Sequence, residues 1–279
     1  MVEEFGGVWH GADKIVTKHL LAAPASRSTA WRNKRVWQEM HAAPRQFESG
    51  KFLADLTERV IANLQSGIDT GDRSESKQNW REELRENRDP SNKSEEVRLE
   101  RALASTSESR RSGWSNQVPV ASGLMGQRRD RRRCIDLLRR NGTACDFVEL
   151  KVKSNNPAFA LVEVLLYGVV YLAQRWNAEL RSDGSKNCAI FDAASVGLRV
   201  LAPRTYFHGF ELGWLERELT NGLEEVTNKN GPKMRLSSHW SPGFETWDSK
   251  ILGDAMGLRS MLDFSRWKDA FPIGTPGEI

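Results

Sequence analysis

Asn141-Gly142 stands between two runs with strand character, Arg132–Arg139 and Asp146–Lys153, and a nearly all-apolar stretch, Pro157–Leu180, follows at once. Asn-Gly is a strong hairpin signal, because a two-residue type I′ turn needs positive φ at both central positions. With that pair as the loop, Arg140 faces Thr143, Leu138 faces Cys145, Asp136 faces Phe147 and Cys134 faces Glu149. Opposed residues share a face of the sheet, and so do residues two apart on one strand. Asp136, Glu149 and Lys151 therefore project to one side, with the two carboxylates as diagonal neighbours. Ile135, Val148, Leu150 and Val152 project to the other side and read as core.

The rest of the chain divides around this unit. Phe52, Leu53, Leu56, Val60, Ile61 and Leu64 recur at helical spacing, which predicts a helix over Gly50–Ser66 in a helical N-terminal segment, 1–70. Residues 71–94 read as a charged linker. Between Asp72 and Glu96 there are eight acidic and six basic residues, with Trp80 and Leu84 the only large apolar groups. Such a stretch buries too little surface to offset the entropy of ordering it. From 95 to 279 strands and helices alternate: a helix through Val97, Leu99 and Leu103, strands near Val118–Val120 and Val196–Phe207, a helix over Glu211–Val226, a strand over Lys233–Trp240 and a last helix over Ile251–Trp267. Mixed elements within one domain predict an α/β fold.

Several classes are excluded by composition. The apolar run Ala158–Ala173 is interrupted by Glu163 and is shorter than the ~20 residues of a membrane helix. The N-terminus lacks a basic stretch followed by an apolar one, and three cysteines (Cys134, Cys145, Cys188) make a poor disulfide framework. The expected setting is cytoplasmic and reducing, with no membrane partner. The Cys and His spacings fit no structural zinc site, and neither a phosphate-binding loop nor a G-x-S-x-G elbow is present.

The shared face carries chemical content. Two adjacent carboxylates repel, and a hard divalent cation between them removes the conflict. Mg²⁺ is usually held by one or two carboxylates together with water and substrate phosphate oxygens. Lys151, on the same face, could contact a phosphate or orient an attacking water. Metal-assisted phosphodiester hydrolysis needs these parts.

Asp136, followed after a hairpin by Glu149-Leu150-Lys151 and then a long helix, resembles the PD-(D/E)XK (restriction-endonuclease-like) nuclease superfamily. In that superfamily the Asp and the ExK motif lie on adjacent strands with a helix after them, and several branches carry Gln and Tyr four residues apart on that helix. Glu163 and Tyr167 have this spacing here, with Glu in place of Gln, and Ile135 replaces the proline of the literal motif. The resemblance spans about residues 95–240. It implies a restriction-endonuclease-like mixed sheet flanked by helices and a nuclease dependent on Mg²⁺ or Mn²⁺ that acts on nucleic acid, DNA in first place. Asp136, Glu149, Lys151 and Glu163 would be catalytic, and Asp136, Glu149 and the upstream Glu100 (or Glu96) would bind metal. An ion pair between Glu163 and Lys151 or an arginine is the competing reading, and for Tyr167 it is core packing.

Net charge alone does not point to nucleic acid: 41 Lys and Arg against 37 Asp and Glu leave +4. The distribution does. Arg128, Arg129, Arg131, Arg132, Arg133, Arg139 and Arg140 stand against Asp130 and Asp136, a local +5. A basic stripe beside a carboxylate site suits a phosphate backbone, and a solvated edge strand is the alternative. A non-catalytic nucleic-acid-binding module that keeps the fold, and a scaffold presenting some of the ten tryptophans, are the rival functions. Homodimerisation is open.

Overall fold

The computed structural model describes residues 6–21, 30–69, 79–85, 94–106, 113–120, 133–153, 156–181, 188–230, 239–247 and 268–269. Within them Asn141-Gly142 marks a hairpin, joining β2 (Cys134–Asn141) to antiparallel β3 (Ala144–Leu150). The turn differs from the expected one. Asn141 pairs with Ala144, so Gly142 and Thr143 form the loop, and Gly142 takes a φ of +60°. Glycine in the first central position is the type II′ pattern, whose twist suits the strands as well as I′ does. The register is thereby shifted by two residues, with Leu138 opposite Phe147 and Arg140 opposite Cys145. Because side chains alternate with period two, a shift of two leaves every facing intact. Continued along β2, this register sets Asp136 directly opposite Glu149 rather than diagonal to it. Ile135, Val148 and Leu150 are buried, as their positions require.

The hairpin belongs to one mixed sheet in the order β1 (Trp114–Pro119), β2, β3, β4 (Ser195–Pro203), β5 (His239–Trp247), β6 (Lys268–Asp269). β1, β2 and β3 are mutually antiparallel, β4 and β5 extend β3 in parallel, and β6 closes antiparallel on β5. Parallel neighbours need crossovers. These are α5 (Pro157–Trp176) between β3 and β4, and α6 (Gly213–Asn230) between β4 and β5. The α/β class is thus present. α5 starts where Asn156 Oδ1 accepts the Phe159 N–H at 2.9 Å, with Pro157 in the first helical position. Its length and apolar composition would also suit a membrane span, but almost all of it is buried within the fold. Gly168 lets it lie close to the sheet, since a Cβ there would come within 3.0 Å of Leu198. Trp240 of β5 donates to Thr227 of α6 at 2.9 Å, so α5 and α6 cover the same face. On the other face Arg199 of β4 pairs with Asp146 of β3 at 3.6 Å and Glu245 of β5 at 3.2 Å, bridging the parallel strands.

The N-terminal residues pack onto this helical layer. α1 (Ala12–Leu20) lies against α3 (Ser49–Asp69), and α3 lies against α5 and α6. Trp9 meets the Tyr167 ring at 5.1 Å, and Trp31 stacks on Phe159 at 4.6 Å with the planes 7° apart. The Trp37 indole, in α2 (Lys34–Gln38), donates to the Trp31 carbonyl. These tryptophans are buried in one cluster with the sheet and α5. A scaffold surface built from them is therefore not available.

Two further differences stand out. The expected strand over Lys233–Trp240 lies farther on, as β5, and residues 231–238 lie outside the described residues, as does the helix expected over Ile251–Trp267. Within the stretch read as a charged linker, Trp80 is fully buried. Its indole donates to Gln174 of α5, and its N–H donates to Pro119 O at 2.8 Å. One large aromatic side chain suffices to pin a polar segment. Trp80→Ala is expected to lower unfolding free energy by about 3–5 kcal/mol, measured by urea denaturation; a loss under about 0.5 kcal/mol would mark the segment as loosely attached.

Candidate carboxylate–lysine site

Glu149 is the penultimate residue of β3, and Lys151 follows the strand's last residue, its N–H donating to Leu201 O at 3.0 Å. Their side chains leave the sheet on the α5 side. Lys151 Nζ lies 2.6 Å from Glu149 Oε1 and 3.1 Å from Glu163 Oε2 of α5. Asp136 Oδ2, on β2, accepts the Leu150 N–H at 2.9 Å. α4 (Glu95–Ala104) supplies two more carboxylates. Glu100 accepts from Asn116 Nδ2 of β1, and Glu96 Oε1 accepts the Val152 N–H at 3.3 Å. The centre is dry: Glu100 is 1 %, Glu149 5 % and Lys151 7 % exposed. Asp136 and Glu163 are half-buried.

Charge in the cluster is unbalanced. Asp136, Glu149 and Glu163 are formally −3, and Lys151 supplies +1. The consequence is a rise in carboxyl pKa. Burial pushes Glu149 well above the usual range, and the Asp136 charge adds to it. Asp136 is pushed up to about 6 by burial, although Lys151 and the Leu150 N–H oppose the rise. Glu100 is pushed up to about 7, by burial first and by Asp136 in the same direction, with the Asn116 hydrogen bond opposing. Burial works against the Lys151 ammonium, yet Glu149, Glu163 and Asp136 outweigh it, and its pKa lies above the ordinary lysine value. The surrounding carboxylates therefore favour the charged form of Lys151. Tyr167 is buried, and burial followed by Glu149, Glu163 and Asp136 pushes its phenol up, so it packs without ionising.

The donor set suits a hard divalent cation. Glu149 Oε2 and Glu100 Oε2 are buried with no hydrogen-bond partner among the described residues, and a buried acceptor left unsatisfied is costly. A divalent ion would offset part of the carboxylates' formal excess over Lys151. Asp136 and Glu149, opposite one another in register, are the pair that could hold it, and Glu100 is the nearest further candidate on α4. No group of three or more His, Cys, Asp or Glu among the described residues is drawn up in metal-binding geometry. Two carboxylates completed by water and substrate oxygens is the arrangement Mg²⁺ ordinarily takes.

The arginine block is placed less simply. Arg128, Arg129, Arg131 and Arg132 lie outside the described residues. Arg133 lies over the Trp9 ring at 4.0 Å and donates to Gly6 O at 3.0 Å. Arg139 lies over Trp114 at 5.6 Å, and Arg140 pairs with Glu82 at 2.8 Å. These three already have partners, and Arg139 and Arg140 lie three and four residues beyond Asp136 on β2, toward the turn.

Two neighbours of the cluster escaped sequence reasoning. Tyr206 sits in the single helical turn Arg204–Phe207 directly after β4. Its phenol is raised by burial, with Lys151 opposing and Glu163, Glu149 and Glu96 adding, which places it beside the carboxylates. The rule that ligands gather at the carboxyl ends of parallel strands could have flagged it. Arg32, electrostatically coupled to Glu163, carried no signal at all.

No protein-family model, curated protein or solved structure matches the chain.

A carboxyl pKa raised on folding favours the folded state at low pH and loses that advantage as pH climbs through the folded value. For Glu100 the loss falls between the ordinary glutamate value of 4.5 and about 7. In EDTA, Glu100→Gln should therefore be more stable than the parent at pH 8, by on the order of 1–3 kcal/mol, and the two should converge near pH 4. Urea unfolding across that pH range measures the gap, and a gap that widens toward acid would reverse the sign.

Proposed function

We propose that the chain is a divalent-metal-dependent nuclease of restriction-endonuclease-like fold that hydrolyses nucleic-acid phosphodiester bonds, with DNA the expected substrate. The observation that carries this reading is the convergence of Asp136, Glu149 and Lys151 on one sheet face, joined by Glu163 from the helix that follows. These are the residues of the Asp…ExK pattern, on adjacent strands and in the order that the PD-(D/E)XK resemblance implies. Glu100, from the helix ahead of the sheet, lies within electrostatic range of Asp136, as the upstream acidic residue of that resemblance would.

Asp136 and Glu149 would hold Mg²⁺ or Mn²⁺, which when bound lowers the pKa of water and neutralises phosphate charge. The chain's own contribution follows from the geometry. Lys151, within ion-pair distance of Glu149 and Glu163, would serve as an electrostatic donor at Nζ. Glu163 holds that ammonium from the α5 side at 3.1 Å, fixing its direction. Asp136 is held in turn by the Leu150 N–H, which sets one oxygen and leaves the other for a ligand. Low exposure at Glu149 and Lys151 strengthens each of these interactions relative to water.

A second reading, a non-catalytic module that binds nucleic acid through the same fold, is favoured by one contact. Lys151 already occupies one oxygen of Glu149 at 2.6 Å, so that carboxylate has a partner without any metal. Plasmid nicking separates the two. With Mg²⁺ the purified chain should convert supercoiled DNA, EDTA should stop it, and Asp136→Asn, Glu149→Gln and Lys151→Ala should each slow it on the order of 100-fold or more. Unchanged cleavage by Lys151→Ala would sink the nuclease reading, and metal-independent binding without cleavage would favour the module.

A further inference from the structure

The N-terminal segment reaches the site through one residue. Trp31 is buried flat against Phe159 in the first turn of α5, and the Trp37 indole donates to the Trp31 carbonyl. Asn156, the cap of α5, uses its other side-chain atom to donate to the Arg32 carbonyl at 3.0 Å. The backbone at Arg32 is thus fixed from three sides. Its guanidinium lies over the Phe159 ring, 4.8 Å from the centroid, yet the residue is exposed. Phe159 and Glu163 are one helical turn apart on α5, so their side chains neighbour one another at roughly 6 Å. Glu163 in turn holds Lys151. An exposed, stacked guanidinium thus stands at the rim of the buried carboxylate–lysine cluster.

We propose that Arg32 is a phosphate-binding residue, contacting a backbone phosphate of the nucleic acid next to the one held over Lys151. This rests on the nuclease reading and gives the N-terminal segment a place in it. The chemistry favours arginine. A planar guanidinium presents a fork of N–H donors that matches phosphate oxygens two at a time, and it can stack on an aromatic face while doing so. Stacking on Phe159 holds the plane, so less conformational freedom is lost when the phosphate arrives. Glu163, one helical turn from Phe159, favours the charged form of Arg32 against the opposing effect of burial. Lys34, which lies over Phe210 at 5.6 Å, is held nearby on the same N-terminal piece, but over a different ring. The assignment is to Arg32 alone.

The test uses the full chain, a fluorescent 20-base-pair DNA duplex in Ca²⁺ for binding by anisotropy over a series of salt concentrations, and plasmid nicking in Mg²⁺. Arg32→Ala should weaken duplex binding roughly 5- to 20-fold and lower the slope of log affinity against log salt by about one, the signature of one lost phosphate contact. Arg32→Lys keeps the charge and should retain the slope while recovering part of the affinity. Thermal melting of both variants should stay close to the parent. An Arg32→Ala protein that keeps the parental salt slope overturns the proposal, and if it melts lower as well, the arginine acts only in packing. A parent that cuts DNA while the variant keeps its slope removes Arg32 and leaves the nuclease reading standing. A parent that neither binds nor cuts removes both.

Discussion

Everything at the candidate site depends on a single buried ammonium. Lys151 Nζ lies between Glu149 on its own strand and Glu163 on the helix that follows. Removing those charges from water costs several kcal/mol per ion, and the mutual attraction offsets this only where geometry is good. Here it is good on the Lys151 side, but the carboxylates outnumber their cation. Asp136 and Glu149 are opposed on neighbouring strands, and each is driven toward its protonated form. A hydrophobic pair in these positions would be simpler to bury, so the arrangement serves something other than stability.

The sheet explains why the charges collect where they do. α5 and α6 lie on one face and cover its middle, where Phe147, Leu198, Val200 and Trp240 are dry and apolar. Crossover helices return along the sheet and leave the carboxyl ends of β3 and β4 open. Polar side chains survive there because α4, the turn carrying Tyr206 and the segment carrying Arg32 supply partners instead of a continuous apolar cover. Asn116 illustrates the supply. It donates to Glu100 and to Arg85 O, and it accepts from Arg85 N, so one amide anchors both the acidic helix and the strand-like segment before it.

Legibility in the sequence followed the range of the interactions. The hairpin, α3, α4, α5 and α6 were readable because period and turn chemistry are local. Even the error in the turn, Gly142-Thr143 in place of Asn141-Gly142, moved the register by an even number and left Asp136, Glu149 and Lys151 on one face. The ion pair from Lys151 to Glu163 was one of two readings, since an isolated Glu in an apolar helix demands a partner. What could not be read were contacts made by lone aromatic groups across long separations. Trp80 sits among charges in the sequence, so its burial against Gln174, 94 residues away, leaves no local pattern. Trp31 on Phe159 is the same case, and with it went any hint of Arg32.

The arginines sharpen the point about charge. Counted along the chain, the block from Arg128 to Arg140 looks like an electrostatic footprint, but a guanidinium is also a flat group that packs well on indole. Arg133 on Trp9 and Arg139 on Trp114 are used in that way, and Arg140 is matched by Glu82. Arg32 makes the same kind of stack on Phe159, yet it does so one helical turn from Glu163, which holds Lys151. Stacking therefore does not separate a structural arginine from a binding one. Position relative to the carboxylates does. By that criterion the proposed phosphate contact falls outside the basic block, on a segment that carries Arg27, Arg32, Lys34 and Arg35 with no acidic residue among them.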